Sequence, residues 1–360
     1  MQWEYDNSQS AIKRWRFLYS EKDKEEFDEL ITDDVAQREV TIDNLIPGQT
    51  YAIRLFAVSL DDIASLEPAE WIVLFVVTEP RAVRALTAVA SSTSEVVVSW
   101  EPPDGSYQDA YQGVYRISES SWKTTFKLTG LKEKVDGLTP GHTYTFEIKA
   151  ISGYQTGSEE IATATVYPLP PTALKVTTRT TSRVKLQWRY DSSKSLCVKW
   201  NVTYTETDKD MTDGFNINTA SARDVAIDSL TPGLTYTIYL FAVTTNDVVS
   251  QTAAKVEATV NPLPPSQLEV LTHSTTTSSV TVTWKYDPLK SHIEKWRVQY
   301  TVKGKSDVNY IDSESADVLQ MTITNLTSGQ NYTIAVYGVT YKGVISLQAP
   351  EVNVTVGAFI

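Results

Sequence analysis

The sequence predicts an all-β protein of four tandem β-sandwiches, and three observations carry that prediction. A thirteen-residue phrase occurs four times, as LIPGQTYAIRLFA from 45, LTPGHTYTFEIKA from 138, LTPGLTYTIYLFA from 230 and LTSGQNYTIAVYG from 326. Its leading leucines, Leu45, Leu138, Leu230 and Leu326, lie 93, 92 and 96 residues apart, a period that fits whole domains and not solenoid units. Tryptophans keep nearly the same period, at Trp3, Trp100, Trp188 and Trp284, inside segments that alternate polar and apolar residues as half-buried strands do.

Each repeat justifies its strands in the same order. SEVVVSW, SRVKLQW and SSVTVTW alternate and end on tryptophan. A second Trp follows twelve residues later at Trp15, Trp200 and Trp296, and four residues on comes a Tyr, at Tyr19, Tyr204 and Tyr300; the second repeat reads Tyr111 and Tyr115. The repeated phrase puts Tyr144, Phe146, Ile148 and Ala150 on one face, and Thr145, Glu147, Lys149 and Ile151 on the opposite, outward one. Pro-Gly makes a tight corner, since proline fixes φ at one position and glycine tolerates φ > 0 at the next. The leucine before it plugs the core, and the tyrosine three residues after the glycine suits a tyrosine corner, its hydroxyl bonded to upstream backbone. A buried Trp→Ala change costs roughly 3–5 kcal/mol, against about 5–13 kcal/mol for a whole domain of this size. One Trp per repeat at fixed register is therefore a core requirement. Domain boundaries are expected at 1–79, 80–167, 168–261 and 262–360.

These features together resemble fibronectin type III domains, which are immunoglobulin-like sandwiches, and the resemblance spans the whole chain. It carries two departures. Ser328 replaces the proline of the fourth corner, and the first repeat begins almost on its Trp. That repeat is expected to lack its first strand and to expose a sheet edge, as a piece of a longer array would. The links YPLPP at 167–171 and NPLPP at 261–265 favour extended, semi-rigid geometry, giving an expected rod on the order of 120–150 Å at ~3.3 Å per strand residue. EPRAV at 79–83, with one proline, reads as the softer link.

Composition narrows function by exclusion. In 360 residues, 41% are hydrophobic and 21% charged, ordinary for folded material. WIVLFVV at 71–77 is a strand's length, short of the ~20 residues a spanning helix needs, and no signal peptide follows Met1. The net charge of −12 argues against a nucleic-acid partner. It is concentrated: residues 1–79 hold 7 Lys and Arg against 17 Asp and Glu. The single Cys197 rules out a disulfide framework or a paired-cysteine zinc site and reads as a quiet thiol beside the third strand. His142, His273 and His292 have neither metal-ligand spacing nor a Ser/Asp partner in register, and no phosphate-binding glycine loop occurs. No catalytic residue, metal or cofactor is expected.

Binding features remain. SEKDKEEFDELITDD at 20–34 contains Glu25, Glu26, Asp28 and Glu29. It is either a solvated edge and loop or a salt-sensitive landing site for a basic partner. The outward positions of the repeated strand carry Phe56, Tyr239, Phe241 and Tyr337, which either anchor an interface or pair across strands. Sequons stand at Asn201, Asn325, Asn331 and Asn353, all expected to point outward. The FAVSLDDIAS, KAISGYQTGS, FAVTTNDVVS and YGVTYKGVIS endings, with the VYPLPP and VNPLPP links, are similar to the ectodomains of type III receptor tyrosine phosphatases. The resemblance implies an extracellular region that binds a cell-surface or matrix protein, with a phosphatase domain elsewhere in the gene and no direct membrane contact in this segment. A matrix protein of tenascin or fibronectin type, a muscle-type array and spacer modules of a secreted enzyme are the competing classes.

Overall fold

An edge-to-face pair of rings joins the two layers of every repeat. In the computed structural model, which describes residues 1–6, 10–66, 74–207, 209–271 and 274–357, Trp3 meets Trp15 with ring centroids 5.5 Å apart, Trp188 meets Trp200 at 5.4 Å and Trp284 meets Trp296 at 5.7 Å. Tyr111 takes the partner's place against Trp100, at 5.6 Å. The twelve-residue spacing is thus a contact between layers, in the T-shaped geometry that ring quadrupoles favour. A third ring, two residues after the Trp, completes it: Tyr5, Tyr190 and Tyr286 lie edge-on to Trp15, Trp200 and Trp296, each at 5.0 Å.

All named strand pairs are antiparallel. In the second repeat Arg84–Ala90, Val96–Glu101 and Lys132–Val135 form one layer. The other has the order Thr124–Phe126, Ala110–Ile117, Thr143–Ser152, with Gln155–Thr156 and Glu160–Thr165 both pairing with the last. The third repeat packs Thr172–Arg179, Val184–Arg189 and Asp224–Ile227 on Thr212–Ile217, Lys199–Glu206, Thr235–Val243 and Ala254–Thr259. The fourth packs Ser266–Val270, Val280–Lys285 and Gln320–Ile323 on Asn309–Asp312, Lys295–Val302, Asn331–Val339 and Glu351–Thr355. In the first repeat, Asp28–Thr32, Ile12–Glu21, Thr50–Ser59 and Leu74–Val77 make the four-stranded layer. Its opposite layer is a short pairing in which the Trp3 N–H donates to the Arg38 carbonyl at 3.0 Å. Trp100, Trp188 and Trp284 donate in the same way to Leu131, Arg223 and Leu319.

The corners form as the residues dictate. The hydroxyls of Tyr51, Tyr144, Tyr236 and Tyr332 accept the backbone N–H five residues upstream, at 2.8 to 3.0 Å. Gly48, Gly141, Gly233 and Gly329 take φ of 74 to 83°, where a Cβ is unfavourable. Leu138, Leu230 and Leu326 are buried, while Leu45 is half-buried. The residue before each leucine is also left-handed: Asn44, Gly137, Ser229 and Asn325.

One outward assignment changes. Alternation points Thr145 and Glu147 to solvent, yet both are buried. The segment after the Ala110–Ile117 strand folds over them: Ser118 and Thr145 hydroxyls lie 2.9 Å apart, and Lys123 reaches the Glu147 carboxylate.

The chain forms two compact units, Met1–Tyr167 and Pro168–Ile360. Links leading into repeats are tied at the same place: Arg81, Leu169 and Leu263 donate their N–H groups to the hydroxyls of Ser106, Ser195 and Ser291, each at 3.0 Å. EPRAV, read from sequence as the softer link, thus carries the same tie as the proline-rich ones.

Candidate functional site

The charge excess of the first repeat gathers at one sheet edge. The strand Asp28–Thr32 borders the layer, with Asp28 opposite Tyr19 and Glu29 opposite Leu18. Glu25, Glu26, Asp28 and Glu29 are all exposed. Glu29 pairs with Arg16, and Lys24 pairs with Glu21 at 2.7 Å. The Lys24 hydrogen bond holds the Glu21 carboxyl below its ordinary range. Phe27 lies under the Arg54 guanidinium at 4.5 Å, which fixes the hairpin that presents Glu25 and Glu26. A charged edge resists pairing with other strands and attracts cations over roughly a Debye length.

The outward aromatics are half-buried by cross-strand neighbours. Phe56 lies opposite Arg16, and Phe241 opposite Asn201. Tyr239 lies opposite Lys255, whose ammonium sits 5.8 Å from the ring centre. Tyr337 lies opposite Arg297, itself stacked 4.2 Å over Tyr310 and forked onto Asp312 at 2.8 and 2.9 Å. Tyr239 and Phe241 share one sheet; Tyr337 and Phe56 belong to two others. Among the described residues the most exposed aromatics lie elsewhere, at Trp122, Tyr154 and Tyr341, with Trp122 at 86%. All three sit in loops or turns, outside the reach of alternation; the signal for Trp122 was its being a tryptophan out of register with the repeat.

Of the sequons, Asn325 and Asn353 are exposed, while Asn201 and Asn331 are half-buried. Asn201 Nδ2 donates to Asn216 Oδ1 at 2.9 Å, and Asn353 Oδ1 accepts from Thr333 at 2.8 Å. Asn331 Oδ1 is enclosed without a hydrogen-bond partner. His142 is half-buried in the second corner, His292 is exposed, and His273 lies outside the described residues. Cys197 is buried in the third repeat's core, where desolvation pushes its thiol pKa up. That disfavours the reactive thiolate. Among the described residues no three His, Cys, Asp or Glu side chains are grouped to hold a metal ion, and no helix is long and apolar enough to cross a membrane.

Known proteins are similar to this chain in sequence. A family model of the fibronectin type III domain matches residues 79–165, 169–257 and 263–352. Receptor-type tyrosine-protein phosphatase eta of Gallus gallus is 27% identical over 87% of this chain and 21% of its own length. Receptor-type tyrosine-protein phosphatase H of Homo sapiens is 28% identical over 85% of this chain and 26% of its own length. Tenascin-R of Gallus gallus is 24% identical over 90% of this chain and 23% of its own length. The chain spans about a fifth to a quarter of the length of these curated relatives.

Proposed function

The chain belongs to the fibronectin type III family, and on that premise we propose that it is the extracellular, ligand-binding region of a cell-surface receptor of the receptor tyrosine phosphatase type. The observation that carries this reading is the continuous similarity, over 85 to 87% of the chain, to two receptor-type phosphatases. Fibronectin type III modules are non-catalytic, so the reading places a phosphatase domain elsewhere in the gene and only recognition here. Its ligand is a protein of the cell surface or matrix, engaged in part by the acidic edge at Glu25, Glu26, Asp28 and Glu29, and therefore basic where it touches that edge. Binding of this kind weakens as salt rises.

Residues 1–79 lie almost wholly outside the family matches. We assign them as a fourth module, lacking the first strand, ahead of modules at 80–167, 168–261 and 262–360. The support is the shared Tyr5–Trp15–Trp3 stack and the Tyr51 corner.

Similarity to Tenascin-R favours a second reading, a secreted matrix adhesion protein. Expression of the full gene product in animal cells separates the two. Labelling by a membrane-impermeant reagent on intact cells supports the receptor, and release into the medium supports the matrix protein. Retention in the cytosol without glycans overturns both.

A further inference from the structure

The Pro-Gly turns of the first and third corners have a second use, at the joint within each compact unit. In Met1–Tyr167, the Pro47 carbonyl accepts the Tyr107 N–H at 2.9 Å and the Ser106 hydroxyl at 3.1 Å. A Cβ on Gly48 would sit 1.8 Å from the Tyr107 carbonyl oxygen, far inside any tolerable contact. The Ser152 hydroxyl closes the same joint on the Gly48 carbonyl. In Pro168–Ile360 the arrangement recurs: the Pro232 carbonyl accepts the His292 N–H at 2.9 Å, and a Cβ on Gly233 would sit 1.9 Å from the His292 carbonyl oxygen. Here Asn261, buried in the link, donates from Nδ2 to the Ile345 carbonyl at 2.9 Å.

The receiving side is also the same in both joints. Ser106 and Ser291 accept the N–H groups of the link residues Arg81 and Leu263. The next residue, Tyr107 or His292, turns its own N–H and carbonyl onto the preceding repeat. One dipeptide thus grips both the link and the turn before it.

We propose that Ser106–Tyr107 and Ser291–His292 are interaction surfaces whose occupant is the Pro-Gly turn of the preceding repeat, and that Gly48 and Gly233 are the residues that determine this fit. Recognition runs through backbone groups, so the second residue of the dipeptide is free to differ, Tyr in one joint and His in the other. Glycine is required twice over, once for its positive φ and once for the neighbouring carbonyl. A turn locked in this way sets the orientation between adjacent repeats and hence between surfaces carried on them. The inference rests on the family assignment and not on the receptor reading.

The chain supplies its own control. Gly329 has the same backbone conformation, at φ 74°, but nothing lies within 4 Å of the place a Cβ would take. Gly48→Ala, Gly233→Ala and Gly329→Ala, made in the full chain, carry the same local strain and differ in the joint. Amide exchange and residual dipolar couplings read the result. The expectation is at least ~10-fold faster exchange at Tyr107 in the first variant and at His292 in the second. The alignment of the two flanking repeats diverges at the altered joint only, and Gly329→Ala changes neither. Should the glycine variants misfold, Ser291→Ala keeps the turn intact and is expected to speed exchange at Leu263 and loosen the same joint. Unchanged exchange at Tyr107 and His292, or an equal effect from Gly329→Ala, overturns the proposal.

Discussion

The Tyr144 hydroxyl accepts the Thr139 backbone N–H at 2.8 Å, across a turn that starts with the buried Leu138 and bends at Gly141. The ring is in the core, and the oxygen meets a backbone N–H of the turn that lies outside the strands. Removing the oxygen strands that N–H, at a cost of about 1–3 kcal/mol. Tyr144→Phe is therefore expected to lower the denaturant midpoint of the second repeat, and Tyr332→Phe to do the same in the fourth, where Thr327 is the donor. Equal midpoints for variant and parent would show that the hydrogen bond adds nothing beyond the ring.

Period-two alternation revealed the core because every inward residue of a strand meets the opposite layer. Tyr144, Phe146, Ile148 and Ala150 are all buried where that pattern put them. Tyr190 escaped notice because it lies just past the strand Val184–Arg189, and its edge-on contact with Trp200 arises from tertiary packing. Glu147 was misread for a related reason: its cover is the segment from Ser118 to Lys123, which has no period to read. The corner glycines were legible as turn residues. Gly48 and Gly233 carry a second constraint from backbone 59 residues away, at Tyr107 and His292, and no local pattern records it. The acidic edge was plain in composition, whereas the exposed Trp122 needed the loop's path.

Among the described residues, Glu147 is the one charged side chain that is buried. Its side chain is 4% exposed, bridged by Lys123 and by Arg116 at 3.4 Å. Burial alone would raise its pKa, but the Lys123 and Arg116 contacts outweigh it and hold the carboxyl below its ordinary range. Arg116 also donates to the Ser118 carbonyl at 2.8 Å, so the carboxylate anchors the whole segment. Breaking a buried pair from one side costs about 3–5 kcal/mol. Lys123→Met, which leaves the buried carboxylate with Arg116 alone, is expected to destabilise the second repeat by up to that order, and Glu147→Leu by less, since the Lys123 and Arg116 side chains left behind are 48% and 26% exposed and can reach water. The double variant should cost less than the two single losses together. Additive losses in that cycle, measured by chemical denaturation, would sink the coupling.

Asp312 gives the fourth repeat a pH dependence. The Arg297 fork and Lys295, at 3.0 Å, bring its pKa down from 3.8 to about 2. The folded state binds the proton less tightly than the unfolded one, so the contribution is fully present above pH ~4 and is lost as pH falls through 2. Nearly two pKa units correspond to about 2 kcal/mol. Exchange protection of the Gln320–Ile323 strand at pH 5 and pH 2.5 checks this. Asp312→Asn should flatten the difference between the two, and a parent protein as protected at the lower pH as at the higher would contradict it.

The four sequons differ in the freedom of the atom that carries the sugar, Nδ2. Asn353 is exposed, and its one hydrogen bond uses Oδ1. Asn325 is exposed at a left-handed turn position. Asn201 commits Nδ2 to Asn216, and Asn331 has an enclosed amide oxygen. On the extracellular reading, protein secreted from animal cells is expected to carry glycans at Asn325 and Asn353 and none at Asn331. Asn201 is occupied only if its bond to Asn216 gives way. Enzymatic deglycosylation in heavy-oxygen water, followed by peptide mass spectrometry, assigns each site. Occupancy at Asn331 would mean that its amide swings out of the fold, and four empty sites would remove glycosylation from the case for an extracellular location.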